Sequence, residues 1–237
     1  MLHSGKHLYG DKLSASDGDV GHVKDFLFDD RSWVMRYLVA DTGSWLSGRQ
    51  VLISPHAFVS LDWTGKLLLL SLTRKQIENS PSIESHKPVS RQYEEAYYRY
   101  YGWPYYWEGS GLWGMSGVPV LELPPKSLSG EPGSCSGPSL ESADAHLRSA
   151  QAVNGYHIEA SDGTIGHICD FMMDAHSWAI RQLVVKIGHR FSGNEVQIPT
   201  SQVDRISYDK STVFVNLTSK AVEQSPAHHL APVGEAD

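Results

Sequence analysis

Cysteine is scarce: 237 residues hold two, Cys135 and Cys169. Cys135 lies in a stretch rich in glycine, serine and proline, and Cys169 lies within a patterned segment. Two such thiols make no disulfide framework, which points to a reducing compartment. Long apolar runs are also missing. The first twelve residues, MLHSGKHLYGDK, contain no apolar stretch of the kind a signal peptide needs. The longest run, Leu67–Leu70, falls far short of the roughly 20 residues that cross a bilayer. Positive charge is in deficit, with 20 Lys and Arg against 27 Asp and Glu and a net charge of −7. Neutralising phosphates takes clustered Lys and Arg, so direct nucleic-acid binding and charge-driven attachment to anionic lipid are both disfavoured. The sequence has no Gly-rich phosphate loop, no G-x-S-x-G, no H-E-x-x-H and no C-x-x-C. What remains, 41% hydrophobic and 20% charged, is the composition of a soluble globular protein. The expected location is the cytoplasm, with docking at the periphery of the inner membrane left open.

What the chain does have is a repeat. Ser16–Phe26 reads SDGDVGHVKDF and Ser161–Phe171 reads SDGTIGHICDF. Asp25 thus matches Asp170, an offset of 145, which holds without a gap from Gly10/Gly155 to Pro81/Pro226. Trp33 meets Trp178, Arg36 meets Arg181, and Leu38-Val39 meets Leu183-Val184. A single doubling at so long a period is no solenoid. It implies two similar units of about 70 residues, a size that folds alone only marginally. We divide the chain into repeat 1 (residues 1–85), a middle segment (86–150) and repeat 2 (151–237).

Each unit reads as short strands. Asp17-Gly18 and Asp162-Gly163 are hairpin-turn signals. Val20–Asp29 and Trp33–Asp41 follow as β-type runs, then Val51–Ile53, Phe58–Leu61 and Leu67–Leu72. Thr73 to Gln76 has capping-box spacing and opens a short helix that stops before Pro81, whereas Thr218 to Ala221 keeps half of that box. Six short strands protect their edges most simply by closing. The expected fold is therefore all-β: two six-stranded β-barrels from an internal duplication. Side chains fill barrels so narrow, leaving no ligand cavity inside.

The run D-G-x-[VI]-G-x-[VI]-x-D-F-x-x-D occurs as Asp17-Gly18, Val20-Gly21, Val23, Asp25-Phe26 and Asp29. It occurs again as Asp162-Gly163, Ile165-Gly166, Ile168, Asp170-Phe171 and Asp174. With the strand-rich tail ending near Ser-Pro, it resembles the PRC-barrel family, in two tandem copies. The resemblance covers both repeats and leaves out the middle. It implies a six-stranded barrel of the kind found in the cytoplasmic domain of the photosynthetic reaction-centre H subunit and in the C-terminal domain of a ribosome maturation factor. In those proteins the barrel docks and does not catalyse.

The middle segment has two parts. Ser90–Trp113 is crowded with Tyr93, Tyr97, Tyr98, Tyr100, Tyr101, Trp103, Tyr105, Tyr106 and Trp107. Three- and four-residue spacings predict a helix over Arg91–Tyr101 with a tyrosine stripe, ended by Gly102 and Pro104. Such a stripe can pack between the barrels or at a dimer interface, since a large ring buries while its hydroxyl stays hydrated. It can instead face a partner protein, a membrane interface, or sugars and bases, although no basic groove accompanies the rings. Residues 115–150 read as an irregular Pro/Gly/Ser-rich linker, with a short helix over Ser139–Ala152 capped by Ser139 or Ser142.

Some polar positions repeat. His22 and His167 each follow a glycine and suit exposed strand sites better than a metal centre, because neither repeat sets a second ligand at the right spacing. Asp17, Asp25 and Asp29, with Asp162, Asp170 and Asp174, fit turns better than acid–base catalysis. Arg36 and Arg181 sit inside apolar strands, with Asp25 and Asp170 as expected partners. Trp33 and Trp178 follow tight turns and are expected to seal barrel ends. No catalytic, cofactor or metal residue is assigned.

The expected function is a non-enzymatic protein-docking or assembly module that binds another protein or itself, peripheral to a photosynthetic or electron-transport membrane complex. A ribosome-associated factor binding a ribosomal protein is one alternative. A small-ligand binder using the cleft between the barrels is another.

Overall fold

A computed structural model describes residues 1–83, 89–109, 111–114, 146–188 and 194–227. The first half runs β1 (Leu2–Ser4), β2 (Lys12–Ala15), β3 (Gly18–Asp29), β4 (Val34–Asp41), β5 (Gln50–Ile53), β6 (Phe58–Asp62), β7 (Leu67–Leu70) and helix α1 (Arg74–Glu78). Helix α2 (Arg91–Tyr101) follows. The second half runs β8 (Leu147–Ser149), α3 (Ala150–Val153), β9 (His157–Ala160), β10 (Gly163–Asp174), β11 (Ile180–Ile187), β12 (Glu195–Pro199), β13 (Val203–Ser207), β14 (Thr212–Val215) and α4 (Ser219–Glu223).

The fold is mostly sheet, with few helices. Two seven-stranded sheets form in the orders β5-β4-β3-β2-β7-β6 and β12-β11-β10-β9-β14-β13, each with one further strand off the path. Within each path the neighbours are antiparallel except the parallel pairs β2–β7 and β9–β14. Register irregularities recur at the offset too, between Val23 and Asp25 and between Ile168 and Asp170. The motif glycines explain how closely these strands approach. A Cβ on Gly21 would stand 2.0 Å from the Asp41 carbonyl oxygen, and one on Gly166 would stand 2.1 Å from that of Lys186.

The seventh strands are exchanged. β1 pairs with β10 of the other half, setting His3 opposite Met173, and β8 pairs with β3, setting Arg148 opposite Phe28. His3 and Arg148 are themselves 145 apart, so the exchange is reciprocal. It places residues 147–149, read from sequence as linker, in the first sheet.

Local chemistry sets the ends. Thr73 and Gln76 complete the capping box of α1, and Thr218 accepts from the Ala221 amide to start α4. Ser90 caps α2, and Gly102 ends it at φ 70°. Within the helix expected over Ser139–Ala152, the described residues form β8 and the start of the four-residue α3, which Ser149 caps. The candidate caps Ser139 and Ser142 lie outside the described residues, as does most of the Pro/Gly/Ser tract. The first core gathers Leu13, Phe26, Leu38, Ile53 and Leu68, and the second gathers Ile158, Phe171, Leu183, Ile198 and Val213.

Candidate functional site

The matched aspartates are structural clamps. Asp25 accepts from the Phe26 amide at 2.8 Å, the Ser149 hydroxyl at 2.5 Å and the Gln151 amide at 3.1 Å. Asp170 accepts from the Phe171 amide at 2.7 Å, the Lys6 amide at 3.1 Å and the Ser4 hydroxyl. Each carboxylate therefore holds the strand donated by the opposite half. The Arg36 and Arg181 guanidinium groups, named from sequence as partners, are not what these aspartates bind. Asp29 accepts from the Arg31 and Ser32 amides, Asp174 from the Ser177 amide and hydroxyl, Asp17 from the Arg74 amide and Asp162 from the Ser219 amide.

Trp33 and Trp178 sit on the seam between the halves. Both are held at positive φ, 55° and 57°. Their carbonyls face opposite halves: Met35 donates to Trp178 at 2.9 Å and Ile180 donates to Trp33 at 2.7 Å. Between them Val34 bridges Ala179, and Phe26 meets Phe171 edge-on at 6.0 Å. The strand ends are matched as well. His3 stacks on Trp63 at 3.9 Å, and the Arg148 guanidinium lies 3.8 Å over Tyr208. Asp30 joins the second pair, accepting from Arg148 Nε at 2.9 Å and from the Tyr208 hydroxyl at 2.5 Å.

The aromatic segment does not fill the joint. Helix α2 lies on the outer face of β4 and β5, which is why every residue of Val34–Ala40 is buried. The Tyr97 hydroxyl donates to the Leu52 carbonyl at 2.9 Å and accepts from the Ser54 amide at 3.1 Å, so it satisfies the free edge of β5. Tyr93 donates to the Pro81 carbonyl and Tyr100 to that of Gln76. Tyr97, Tyr98 and Tyr106 are buried, which removes them as a docking surface. Tyr101, Trp103, Tyr105 and Trp107 are half-buried, and Tyr100 is the exposed member at 42%. Trp113 reaches the second half, donating its indole N–H to the Ser177 carbonyl at 2.8 Å.

Under α2 lies a buried polar nest. Glu94 is fully buried. Its Oε1 accepts from the Tyr106 and Tyr37 hydroxyls at 2.7 and 3.1 Å, and its Oε2 faces Arg91 Nη1 at 3.1 Å and His146 Nε2 at 3.2 Å. Arg36 donates to the Leu112 carbonyl at 2.5 Å and to the Ser32 hydroxyl at 3.1 Å, lies 3.9 Å from Asp29 and stacks 3.9 Å over Tyr106. Burial lowers its pKa and raises that of Tyr106. His56 packs among Tyr98, Trp103 and Trp113 and is held neutral, its pKa pushed down to about 4 by burial and by Arg36. Arg181, the counterpart of Arg36, is exposed.

His22 is exposed and His167 half-buried on their strands. His22 lines an open groove of about 580 Å³ with Asp19, Lys24, Asp41, Thr42 and Trp45. Trp45 is backed by Arg74, 4.4 Å over its ring. Among the described residues no group of three or more His, Cys, Asp or Glu is placed to hold a metal ion, and no helix is long and apolar enough to cross a membrane. Cys169 is half-buried, its thiol pushed up to about 11 by burial, and Cys135 lies outside the described residues.

Sequence reasoning missed the clamp serines and the Glu94–His146 contact. A signal for the serines existed: Leu2-His3-Ser4 matches Leu147-Arg148-Ser149 at the same offset of 145. No family model matches this chain, and no curated protein matches it.

Proposed function

We propose that the chain is a non-enzymatic docking or assembly module of the PRC-barrel kind. Two closed six-stranded barrels, arisen by internal duplication, would be locked together by exchanged strands and would present their outer faces to a protein partner. Closure is supported by the short links Pro55–Ala57 and Thr200–Gln202. Each joins the two strands at opposite ends of its sheet order, so the sheet must curl to bring them together.

The observation that carries the docking reading is the use made of the matched carboxylates. All six, Asp17, Asp25, Asp29, Asp162, Asp170 and Asp174, accept hydrogen bonds from the protein's own backbone. What the motif repeats is architecture. The small-ligand reading needs a cleft at the seam, and Phe26, Phe28, Phe171 and Trp178 pack there. The groove beside His22 is the concave face we assign to the partner, since it combines an aromatic ring with charges of both signs. Its placement beside a photosynthetic or electron-transport membrane complex rests on the family resemblance.

The test is affinity capture from native lysate with the intact chain and with a Lys24→Glu/Trp45→Ala variant of unchanged melting temperature. The reading predicts a stoichiometric protein, enriched from the membrane fraction, that binds the purified chain directly and is lost with the variant. Equal capture by both forms, or no stoichiometric protein at all, overturns it.

A further inference from the structure

The seam between the halves is built like the interface of a symmetric dimer. Its contacts come in pairs related by the offset of 145. β1 on β10 is matched by β8 on β3, Ser4 on Asp170 by Ser149 on Asp25, and the Lys6 amide by the Gln151 amide. The Met35 amide on the Trp178 carbonyl is matched by the Ile180 amide on that of Trp33. An interface with this reciprocity is isologous, and its energy resides in surfaces, not in the peptide that connects them.

The connection adds a second observation. The described residues on either side of positions 115–145 lie close together: Trp113 lies 6.4 Å from the Tyr106 ring, and the Tyr106 hydroxyl lies 2.8 Å from His146 Nε2. A chain of that length can reach up to about 100 Å, far more than this gap requires. Covalent linkage therefore sets the local concentration of the two halves without dictating which molecule each half comes from.

We propose that two copies of this chain exchange halves, so that residues 1–114 of one copy seat against residues 146–227 of the other, and the reverse. The exchanged dimer remakes each of the seam contacts given above. Joining two surfaces in one chain holds each at an effective concentration of up to about the millimolar range for the other. Monomer therefore prevails in dilute solution, and exchange competes when chains fold at comparable concentration. Once formed, the dimer is held by both strand ladders and both aspartate clamps, so it persists on dilution.

The experiment uses the full chain carrying a protease site between Gly130 and Glu131, prepared in two isotopic forms. The forms are unfolded, mixed and refolded, once in the micromolar range and once near ~1 mM. The expected product at high concentration is a species of twice 26.3 kDa that contains both isotopes. Cutting the connector then decides the matter by native mass spectrometry. An exchanged dimer falls into particles of monomer mass that combine a first half of one isotope with a second half of the other. Overturning results are a dimer that survives cutting, particles whose halves always share one isotope, halves that separate on cutting, or no dimer at high concentration.

Discussion

Ser149 donates its hydroxyl to Asp25 at 2.5 Å, across 124 positions of sequence. The contact fastens a strand of the second half to the first sheet, and Asp170 fastens Ser4 in the same way. Burial raises the Asp25 pKa, with the Ser149, Gln151 and Phe26 donors working against it. Replacing Asp25 by Asn swaps a charged acceptor of three bonds for a weaker one and sets an amide N–H₂ against donors. The expected cost is about 1–3 kcal/mol in urea denaturation. Asp25 and Arg36 share no partner, so Asp25→Asn and Arg36→Lys should add within about 0.5 kcal/mol, whereas Asp25→Asn and Ser149→Ala should not. A coupling between Asp25 and Arg36 larger than that margin would refute the clamp assignment.

The pH dependence follows from His56. Its folded pKa is about 4, against 6.5 unfolded. Above pH 6.5 neither state binds this proton and the group is silent. Between 6.5 and 4 the unfolded chain binds it first, so stability falls as pH falls, by up to about 3 kcal/mol. Asp11 opposes this, because burial raises its carboxyl from 3.8 to about 6 and stabilises the folded state as pH drops through that window. The two are separated by comparing variants. His56→Gln should flatten the acid limb of a melting-temperature profile, and Asp11→Asn should stabilise the protein above pH 6 with a benefit that fades toward pH 4.

Much of the architecture is legible in the sequence, because it rests on local signals. The Asp-Gly turns, the Thr73–Gln76 box and the Arg91–Tyr101 periodicity all produce the expected elements. The exchange is less legible, because it depends on which sheet receives a strand. Leu2–Ser4 and Leu147–Ser149 are three residues each, too short to carry a period-2 pattern. The carboxylate beside Arg36 differs from the expected Asp25 for a related reason. The apolar neighbours of Arg36 suggest a carboxylate on the adjacent strand; the one it faces there is Asp29, and Leu112, Tyr106 and Trp113 of the middle segment cover the guanidinium. Tertiary covering of the first sheet leaves no trace in the matched residues themselves.

The motif glycines give a sharper test of that architecture. Gly21 and Gly166 place their missing Cβ atoms 2.0 and 2.1 Å from backbone carbonyl oxygens of the neighbouring strand, where no side-chain rotation can relieve the clash. At Gly21 φ is also 143°, a region L-residues avoid. Gly21→Ala and Gly166→Ala should each push β3 from β4 or β10 from β11 and cost at least about 3 kcal/mol, near the upper end for point substitutions. Gly10→Ala, where nothing lies within 4 Å of a Cβ, isolates the cost of a positive φ of 80° and should lie near ~1 kcal/mol. Thermal denaturation of the three variants checks the order.

Glu94 holds α2 to the first sheet. Its carboxylate is the common partner of Tyr37 on β4, Arg91 on α2, Tyr106 and His146, and none of these contacts reaches solvent at the Glu94 side. Glu94→Gln keeps the shape and removes the charge, leaving Arg91 without its buried counter-charge and placing an amide N–H₂ among hydroxyl, guanidinium and imidazole donors. Removing one member of a buried pair typically costs 3–5 kcal/mol, and Arg91 is half-buried, so the lower end, about 3 kcal/mol, is expected. Tyr97→Phe loses only the hydroxyl that satisfies β5 and should cost about 1–2 kcal/mol. If α2 docks through this nest, Glu94→Gln should perturb amide resonances of β4 and β5 while leaving those of β13 and β14 unmoved. Equal perturbation of both sheets would mean that the nest supports the seam and not the helix.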